Sequence, residues 1–207
     1  TSFDGTALAA YRWRPEKETK GEVLLIHGFA DHIGRFTHVA EALTTAGYAV
    51  TGVDLRGHGH SGGRRGYIDR WEDYLADVHK AAKTIEGTYV LLGHSMGGLV
   101  ALDYLRHANR ATGIIVSAPL LGVAVQAPRW KTTLGSVLSN VWPTLQMGNE
   151  IDATTICSDP QVVAQYEEDP LVFKTLTPRW YTEMLATMTR VKSHAQHYTA
   201  PLLCVFG

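Results

Sequence analysis

Gly93-His94-Ser95-Met96-Gly97-Gly98 is the stretch that decides the fold of this 207-residue chain, because it contains the pattern G-x-S-x-G. The apolar run Tyr89–Leu92 precedes it, and the apolar-faced stretch Met96–His107 follows it. This order predicts a strand, a sharp turn at Ser95 and a helix, a setting that exposes the serine hydroxyl. Glycine is required on both sides, since side chains there collide across so tight a turn. We therefore predict that Ser95 is a nucleophile; the alternative is a glycine-rich turn with an incidental serine.

Strands and helices alternate on both sides of this turn. The period-2 and apolar runs predict strands over Leu8–Arg14, Glu22–His27, Tyr48–Leu55, Tyr89–Leu92 and Thr112–Ser117. Helical spacing predicts helices over Phe36–Ala46, Trp71–Ile85 and Met96–His107. Strands that alternate with helices of this length need crossover connections. The fold class is therefore α/β, with a mainly parallel sheet covered by helices on both faces.

The pattern changes between about Leu121 and His197. This stretch contains three tryptophans, three of the four methionines and several prolines, without a clear strand. It predicts short helices joined by irregular turns, and the apolar run Pro201–Phe206 predicts that the sheet then resumes. We expect residues 1–120 to form the N-terminal part of the core, residues 121–197 a helical insertion, and residues 198–207 a return strand.

The composition argues against a disordered protein, a nucleic-acid-binding protein and a membrane-spanning protein. Hydrophobic residues make up 45% of the chain and charged residues 19%, as in globular rather than disordered proteins. The formal net charge of -1 provides no field that attracts a polyanion, so we expect no nucleic-acid partner. Cys157 and Cys204 form no disulfide or metal pattern, which favours a cytoplasmic location. Two uncharged stretches, 111–128 and 132–149, are interrupted by glycine, proline and polar residues and do not predict membrane spans.

A serine that attacks a carbonyl group needs hydrogen-bond donors for the oxyanion that forms. At a turn of this kind, one donor is the backbone N–H of the following residue, Met96. A second donor is expected from a loop after an earlier strand, and His27-Gly28-Phe29 stands at such a position. We therefore predict an oxyanion hole made by the amides of Phe29 and Met96. The alternative for His27-Gly28 is a plain strand-ending turn.

Four motifs occur in order along the chain. They are H-G-x-x-x-H at His27–His32, D-x-R-G-H-G-x-S at Asp54–Ser61, G-H-S-M-G-G at Gly93–Gly98 and D-P-L-V at Asp169–Val172. Together with R-G-Y-I at Arg65–Ile68, they resemble the monoacylglycerol lipases and bacterial lysophospholipases of the α/β-hydrolase superfamily. The resemblance extends from about Asp4 to the C-terminus. The motifs identify this family specifically, but they contain little information about the substrate.

The resemblance implies a serine hydrolase in which Ser95 forms an acyl-enzyme, with neither a cofactor nor a metal. It also implies that residues 121–197 form a mobile apolar lid, or cap, that receives the acyl chain of a monoacylglycerol or lysophospholipid and touches a lipid surface transiently. Plain packing inside the cap is the alternative for its apolar residues. Asp54 is implied to belong to a structural turn at a strand end, rather than to be the catalytic acid.

Three histidines lie near these motifs without predicting a catalytic or metal site. His58 and His60 form an H-x-H pattern, but no carboxylate pattern completes a metal site, so we expect no metal there. His94 precedes the nucleophile directly along the chain. Its side chain is expected to point away from Ser95 and to be packed as a structural residue.

A serine hydroxyl is a weak nucleophile until a base takes its proton and an acid orients that base. In this fold the acid and the histidine follow the serine, and the acid comes after the strand that follows the lid. Pro201–Phe206 matches that strand, so we expect both partners beyond Gly207, in a C-terminal segment of the same fold. An order within the chain, such as Ser95, Asp159 and His194, is the alternative, although Asp159 and His194 lie in the predicted cap.

The leading hypothesis is a carboxylic-ester hydrolase that acts on a small lipid-like acyl ester. Other reactions of the same fold remain open, namely those of a general esterase, thioesterase, peptidase or cofactor-free peroxidase. A non-catalytic binding module with the hydrolase fold is a third hypothesis, from a different class.

Overall fold

The computed structural model describes residues 1–122, 129–149 and 151–206. Residues 123–128 and 150 of the predicted cap therefore lie outside the described residues, as does Gly207. The segment between the last two strands of the main sheet, residues 121–197, is called the inserted segment below.

A six-stranded sheet forms the centre of the molecule. Its strands are β1 (Ala10–Trp13), β2 (Gly21–Ile26), β3 (Tyr48–Val53), β4 (Tyr89–His94), β5 (Ala111–Ser117) and β8 (Leu202–Val205). They are ordered β1-β3-β2-β4-β5-β8. Every neighbouring pair is parallel except β1 with β3, which is antiparallel. The predicted α/β class with a mainly parallel sheet is confirmed.

Six α-helices accompany the sheet within the described ranges. They are α1 (Thr37–Thr45), α2 (Glu72–Ala82), α3 (Met96–Leu105), α4 (Arg129–Val141), α5 (Pro160–Glu168) and α6 (Pro178–His194). The first three lie where the sequence predicts helices, with ends that differ by a few residues. The predicted strand at 89–92 continues to His94, because His94 still pairs with Ser117 of β5. Strand ends depend on the partner strand, which the local sequence does not contain.

Alternate residues of β2 face opposite sides of the sheet, as the strand period requires. Leu24 and Ile26 belong to the larger of two apolar clusters, to which α2, α3 and α6 contribute. Val23 and Leu25 belong to the smaller cluster, which includes Ala40 of α1. All four β2 side chains are buried, so helices cover the sheet on both faces.

Helix α6 attaches the inserted segment to the larger cluster. Trp180, Met184 and Met188 recur at helical spacing and are buried there. The helix begins after Thr177, whose side-chain oxygen accepts a hydrogen bond from the Trp180 N–H and donates one to the Gly66 carbonyl. The start of α6 is therefore fixed to Gly66, the last residue of a glycine-rich turn, residues 57–66, that follows β3 and is called the 57–66 turn below.

The inserted segment also contains two strands that the sequence does not predict. β6 (Met147–Gly148) and β7 (Thr175–Leu176) pair antiparallel over two residues each. A two-residue strand is too short to display the alternation on which a prediction from sequence depends. No helix in the described ranges is both long enough and apolar enough to cross a bilayer.

Candidate active site

Ser95 lies between the end of β4 and the start of α3 in an unusual backbone conformation. Its φ is 52° and its ψ is -118°, a region that is unfavourable for every residue except glycine. The Ser95 N–H donates to the Ser117 carbonyl at 2.9 Å, and its own carbonyl accepts from the N–H groups of Gly98 and Leu120 at 2.9 and 3.0 Å. The surrounding backbone therefore holds this residue in its strained conformation. The residue remains partly exposed at the carboxyl end of β4, in the middle of the sheet.

The glycines around Ser95 are required by close backbone contacts. A Cβ atom on Gly93 would lie 2.3 Å from the carbonyl oxygen of Gly97. A Cβ atom on Gly97 would lie 2.3 Å from the Ile26 oxygen, and one on Gly98 would lie 2.9 Å from the Pro119 Cβ. Because real Cβ atoms do not approach other atoms so closely, only glycine permits this packing of α3 against the ends of β2 and β5.

A loop formed by residues 27–32 follows β2 and lies against Ser95; it is called the 27–32 loop below. A Cβ atom on Gly28 would be 3.4 Å from the Cβ of Ser95. Met96 is the first residue of α3, so its N–H has no partner within the helix, and the helix dipole favours negative charge there. Among the described residues, no hydrogen bond is made by the Phe29 N–H either. This corner of the sheet can therefore offer two backbone donors to an anion beside Ser95.

His27 fixes the orientation of the peptide unit that carries the Phe29 N–H. The ring is fully buried, and its Nε2 accepts a hydrogen bond from the Leu55 N–H at 3.0 Å. Its Nδ1 therefore carries the proton and donates to the Gly28 carbonyl at 2.7 Å. In a trans peptide the N–H points opposite to the carbonyl, so this bond turns the Phe29 N–H away from the His27 ring. Burial lowers the pKa of His27 and keeps its ring neutral.

Asp54 has a structural environment at the end of β3. Its fully buried carboxylate accepts hydrogen bonds from the backbone N–H groups of Ile33 and His60 and from the Tyr11 hydroxyl, at 2.8, 2.9 and 3.1 Å. Burial and the adjacent carboxylate raise the pKa of Tyr11 to about 12. Asp54 thus connects Ile33, which directly follows the 27–32 loop, to His60 in the 57–66 turn.

His58 and His60 do not point to a common ligand site. His58 is fully buried, and its Nδ1 donates to the Arg56 carbonyl at 3.0 Å. Burial lowers the pKa of His58 well below its usual range. His60 is exposed. Across the described ranges, no group of three or more His, Cys, Asp or Glu side chains is arranged to hold a metal ion.

His94 turns towards β5 and towards Phe36, the residue before α1, rather than towards the hydroxyl of Ser95. Its Nδ1 shares a hydrogen bond of 3.2 Å with the Ser117 hydroxyl, and its ring packs against Phe36 with centroids 5.6 Å apart. Burial lowers the pKa of this histidine. These contacts are those of a packed structural residue.

The histidines that follow Ser95 along the chain lie far from it. His194 and His197 line a cavity with Leu105 and Arg106, beyond the C-terminal end of α3, and His107 also follows that end. Ser95 precedes the N-terminal end of the same ten-residue helix, about 15 Å away along its axis. No histidine hydrogen bond to the Ser95 hydroxyl exists among the described residues.

Asp159 is the alternative candidate for the catalytic acid, and its carboxylate makes a local hydrogen bond in the inserted segment. It is exposed and accepts a hydrogen bond from the Gln161 N–H at the start of α5. The structure therefore does not assemble Ser95, Asp159 and His194 into one site.

The sequence patterns do not connect the 27–32 loop to the inserted segment, but the structure does. The Phe29 ring packs against Trp180 and Phe173, with centroids 3.9 and 5.4 Å apart. His32 Nε2 lies 2.9 Å from a carboxylate oxygen of Asp169. Asp169 is part of the D-P-L-V motif, so the sequence singles it out. Phe173 and Trp180 belong to no motif, and their local sequence does not distinguish them from ordinary core residues.

Comparisons with known proteins agree with this fold. The Hydrolase_4 family profile, described as serine aminopeptidase S33, matches residues 17–207. A monoacylglycerol lipase from Mycolicibacterium smegmatis is 31% identical over 202 residues, which cover 94% of this chain and 72% of that protein. The crystal structure of the Paleococcus ferrophilus monoacylglycerol lipase superposes with a TM-score of 0.87 at 30% identity, covering 96% of this chain and 77% of that one.

A further relative differs greatly in length. An uncharacterized abhydrolase domain-containing protein from Dictyostelium discoideum is 32% identical over 206 residues. These cover 98% of this chain but only 22% of that protein. The family match and the fold agree: the chain belongs to the Hydrolase_4 family of α/β-hydrolases and is related to carboxylic-ester hydrolases named as monoacylglycerol lipases.

Proposed function

We propose that this chain carries the nucleophile and the oxyanion hole of a serine hydrolase that cleaves carboxylic esters. The observation that carries the proposal is the left-handed conformation of Ser95 between β4 and α3, with glycine at each position where a side chain would collide. The Ser95 hydroxyl attacks the ester carbonyl carbon, and the N–H groups of Phe29 and Met96 bind the resulting oxyanion. Collapse of the intermediate releases the alcohol and leaves the acyl group on Ser95, from which water removes it.

The base and the acid of this mechanism come, in our proposal, from residues outside these 207. The proton of Ser95 must pass to a base, and each histidine after Ser95 lies beyond the far end of α3. The two lipases compared with this chain are longer than it, since it covers 72% and 77% of their lengths. A polypeptide of these 207 residues should therefore hydrolyse esters about four to six orders of magnitude more slowly than a complete relative. Comparable turnover that Ser95→Ala abolishes would contradict this view.

The substrate we propose is a monoacylglycerol, in keeping with the names of the two lipases compared above, or a lysophospholipid, which rests on the resemblance of the sequence motifs alone. We also propose that the inserted segment acts as the cap, meets a lipid surface transiently and delivers the acyl chain. Its support is a set of exposed apolar side chains near the end of α4. Val137, Val141 and Trp142 are 52, 77 and 58% exposed.

The test begins with the intact gene product that contains this chain and its Ser95→Ala variant. A fluorophosphonate probe should label the parent covalently and leave the variant unlabelled, since the probe reacts with an activated serine. Hydrolysis of a p-nitrophenyl ester and of a monoacylglycerol should both disappear in the variant. Labelling that persists in Ser95→Ala, or a parent without any Ser95-dependent hydrolysis, would refute the proposal.

A peptidase is the second candidate, because the matching family profile is described as a serine aminopeptidase. The same nucleophile and oxyanion hole serve amide bonds, so the residues near Ser95 do not separate the two reactions. Aminoacyl p-nitroanilides included in the substrate panel distinguish them: the ester hydrolase leaves these amides intact at enzyme concentrations that consume the esters.

Two expectations from the sequence stay predictions. A non-catalytic binding module remains the hypothesis from a different class, and a parent that neither reacts with the probe nor hydrolyses any substrate would favour it. A cytoplasmic location rests on Cys157 and Cys204, neither of which is in a disulfide.

A further inference from the structure

The side chain of Phe29 is held between the core and the inserted segment. Trp180 of α6 lies against one side, with ring centroids 3.9 Å apart, and Phe173 approaches edge-on at 5.4 Å. Both residues belong to the inserted segment. His58 of the core contacts the same ring at 5.8 Å. The residue whose amide is proposed to bind the oxyanion is therefore packed mainly by another part of the chain.

A second contact joins the other end of the same loop to the same segment. His32 Nε2 and Asp169 Oδ2 are 2.9 Å apart. The other carboxylate oxygen of Asp169 accepts the Leu171 N–H at 2.8 Å, which fixes the carboxylate within its own turn. The 27–32 loop is thus attached to the inserted segment at Phe29 and at His32.

Between these two contacts the backbone is strained. Ala30 has a φ of 58°, in the left-handed region that alanine rarely adopts, and its side chain is fully buried. A conformation of this kind persists only where surrounding contacts enforce it. The contacts at Phe29 and His32 lie on either side of Ala30 and are in a position to do so.

We propose that Trp180 is a positioning residue for the oxyanion hole, and that it acts through the ring of Phe29. With α6 packed against the core, Trp180 holds the 27–32 loop in the conformation that presents the Phe29 N–H beside Ser95. Without Trp180 packed against Phe29, the loop loses this support and the donor is misplaced. Packing of α6 against the core and formation of the oxyanion hole are therefore coupled. This inference rests on the function proposed above.

The consequence for kinetics is specific. An oxyanion exists only in the transition state and the intermediates, so a misplaced donor lowers kcat and leaves KM little changed. A short ester such as p-nitrophenyl acetate is the substrate of choice, because its acetyl group is too short to reach along the inserted segment as a long acyl chain would. Displacement of catalytic groups by about 1 Å lowers rates by up to about a hundredfold.

The experiment uses the intact gene product that contains this chain and compares Trp180→Ala, Trp180→Phe and Met188→Ala. Met188 is the matched control, since it is buried on the same helix about 12 Å further along its axis. Trp180→Ala should lower kcat for p-nitrophenyl acetate about ten- to a hundredfold. Trp180→Phe keeps a ring against Phe29 and should restore most of the rate, and Met188→Ala should resemble the parent.

A double variant separates positioning from general destabilisation. Phe29→Ala keeps the backbone N–H but removes the ring on which Trp180 acts. If Trp180 acts through that ring, Trp180→Ala lowers kcat no further in the Phe29→Ala background. Multiplicative losses, or a loss in Met188→Ala equal to that in Trp180→Ala, would overturn the inference.

Hydrogen exchange provides a readout that does not depend on activity. Amides in a peptide covering residues 27–32 should exchange faster in Trp180→Ala than in Met188→Ala or the parent. Equal exchange in all three proteins overturns the positioning role even where hydrolysis is strong. Conversely, an absence of Ser95-dependent hydrolysis removes the proposed function, while the exchange rates still decide whether Trp180 holds the loop.

Discussion

Close contacts between backbone atoms determine the residues around Ser95. Gly97 is the clearest case, because a Cβ atom there would lie 2.3 Å from the Ile26 oxygen and 2.4 Å from the His27 oxygen. Neither oxygen belongs to a flexible side chain, so neither can move aside at low cost. The first turn of α3 can therefore approach the end of β2, and the 27–32 loop, only with glycine at this position.

Gly97→Ala is expected to destabilise the protein by about 3 kcal/mol, as an overpacked core site does. Gly135 in α4 is the matched control, since no described atom outside the backbone of its own helix lies within 4 Å of a Cβ placed there. Gly135→Ala should raise the free energy of unfolding by about 0.5–1 kcal/mol, because alanine favours the helix. Urea unfolding of both variants measures these changes. Equal changes in the free energy of unfolding for Gly97→Ala and Gly135→Ala would contradict the close contact of Gly97 with the end of β2.

His58 should make the stability of the protein depend on pH. Burial, with a smaller effect of His27, lowers the pKa of His58 well below its usual range. The unfolded chain takes up a proton at this residue below about pH 6.5, whereas the folded protein does not, so stability falls as the pH decreases from there. The free energy of unfolding should drop between pH 7 and pH 5 by about 1–2 kcal/mol more in the parent than in His58→Phe. Identical pH profiles would argue against a buried neutral His58.

Among the elements, α4 and α6 of the inserted segment have different surroundings. Helix α6 buries Trp180, Met184 and Met188 in the main core, so its apolar face is explained by packing. Near the end of α4, by contrast, Val141 and Trp142 are 77 and 58% exposed. Apolar side chains clustered on a surface often mark a contact with another apolar phase.

The double substitution Val141→Ser and Trp142→Ser should weaken binding to phosphatidylcholine vesicles by about tenfold, since it removes two side chains available for insertion. Vesicle co-sedimentation measures the partition. Hydrolysis of a soluble p-nitrophenyl ester should be unchanged. Tyr48→Ser, at an exposed apolar residue of β3, serves as the control and should bind like the parent. Unaltered sedimentation of the double variant would exclude α4 as the contact.

At the scale of the whole molecule, β8 is the last strand in the order of the main sheet. All four of its residues are exposed, and Phe206 beside it is 70% exposed. An apolar edge strand offers unpaired backbone groups together with apolar surface, and such edges pair with other chains. We therefore expect this strand to be a site of association in a polypeptide of these 207 residues.

A polypeptide of these 207 residues should self-associate at micromolar concentration. Leu203→Lys and Phe206→Lys should each shift the population towards the monomer, because a charge at an edge strand opposes pairing. Sedimentation velocity reports the distribution. Val137→Lys, which alters an exposed apolar residue of α4, should leave the association unchanged. A monomeric parent, or an equal response to Val137→Lys, would show that β8 is not the contact.

The sequence by itself determined the α/β class of the chain, the position of the turn at Ser95 and the family to which the chain belongs. Each depends on neighbours along the chain: the strand, the turn glycines and the helix around Ser95 are contiguous, and apolar spacing records which face of an element is buried. The ends of β4 and the small β6–β7 ladder were not predictable in the same way. Their limits depend on pairing with distant strands.

Only the tertiary structure decided how the surroundings of Ser95 are assembled. It joined the 27–32 loop to Trp180 and Asp169, more than 130 positions away along the chain, and it separated His194 from Ser95 by the length of α3. The physical reason is that packing and hydrogen bonding act between atoms close in space. A local pattern records that Trp180 is apolar and at helical spacing, but it does not record which side chain lies 3.9 Å from its ring.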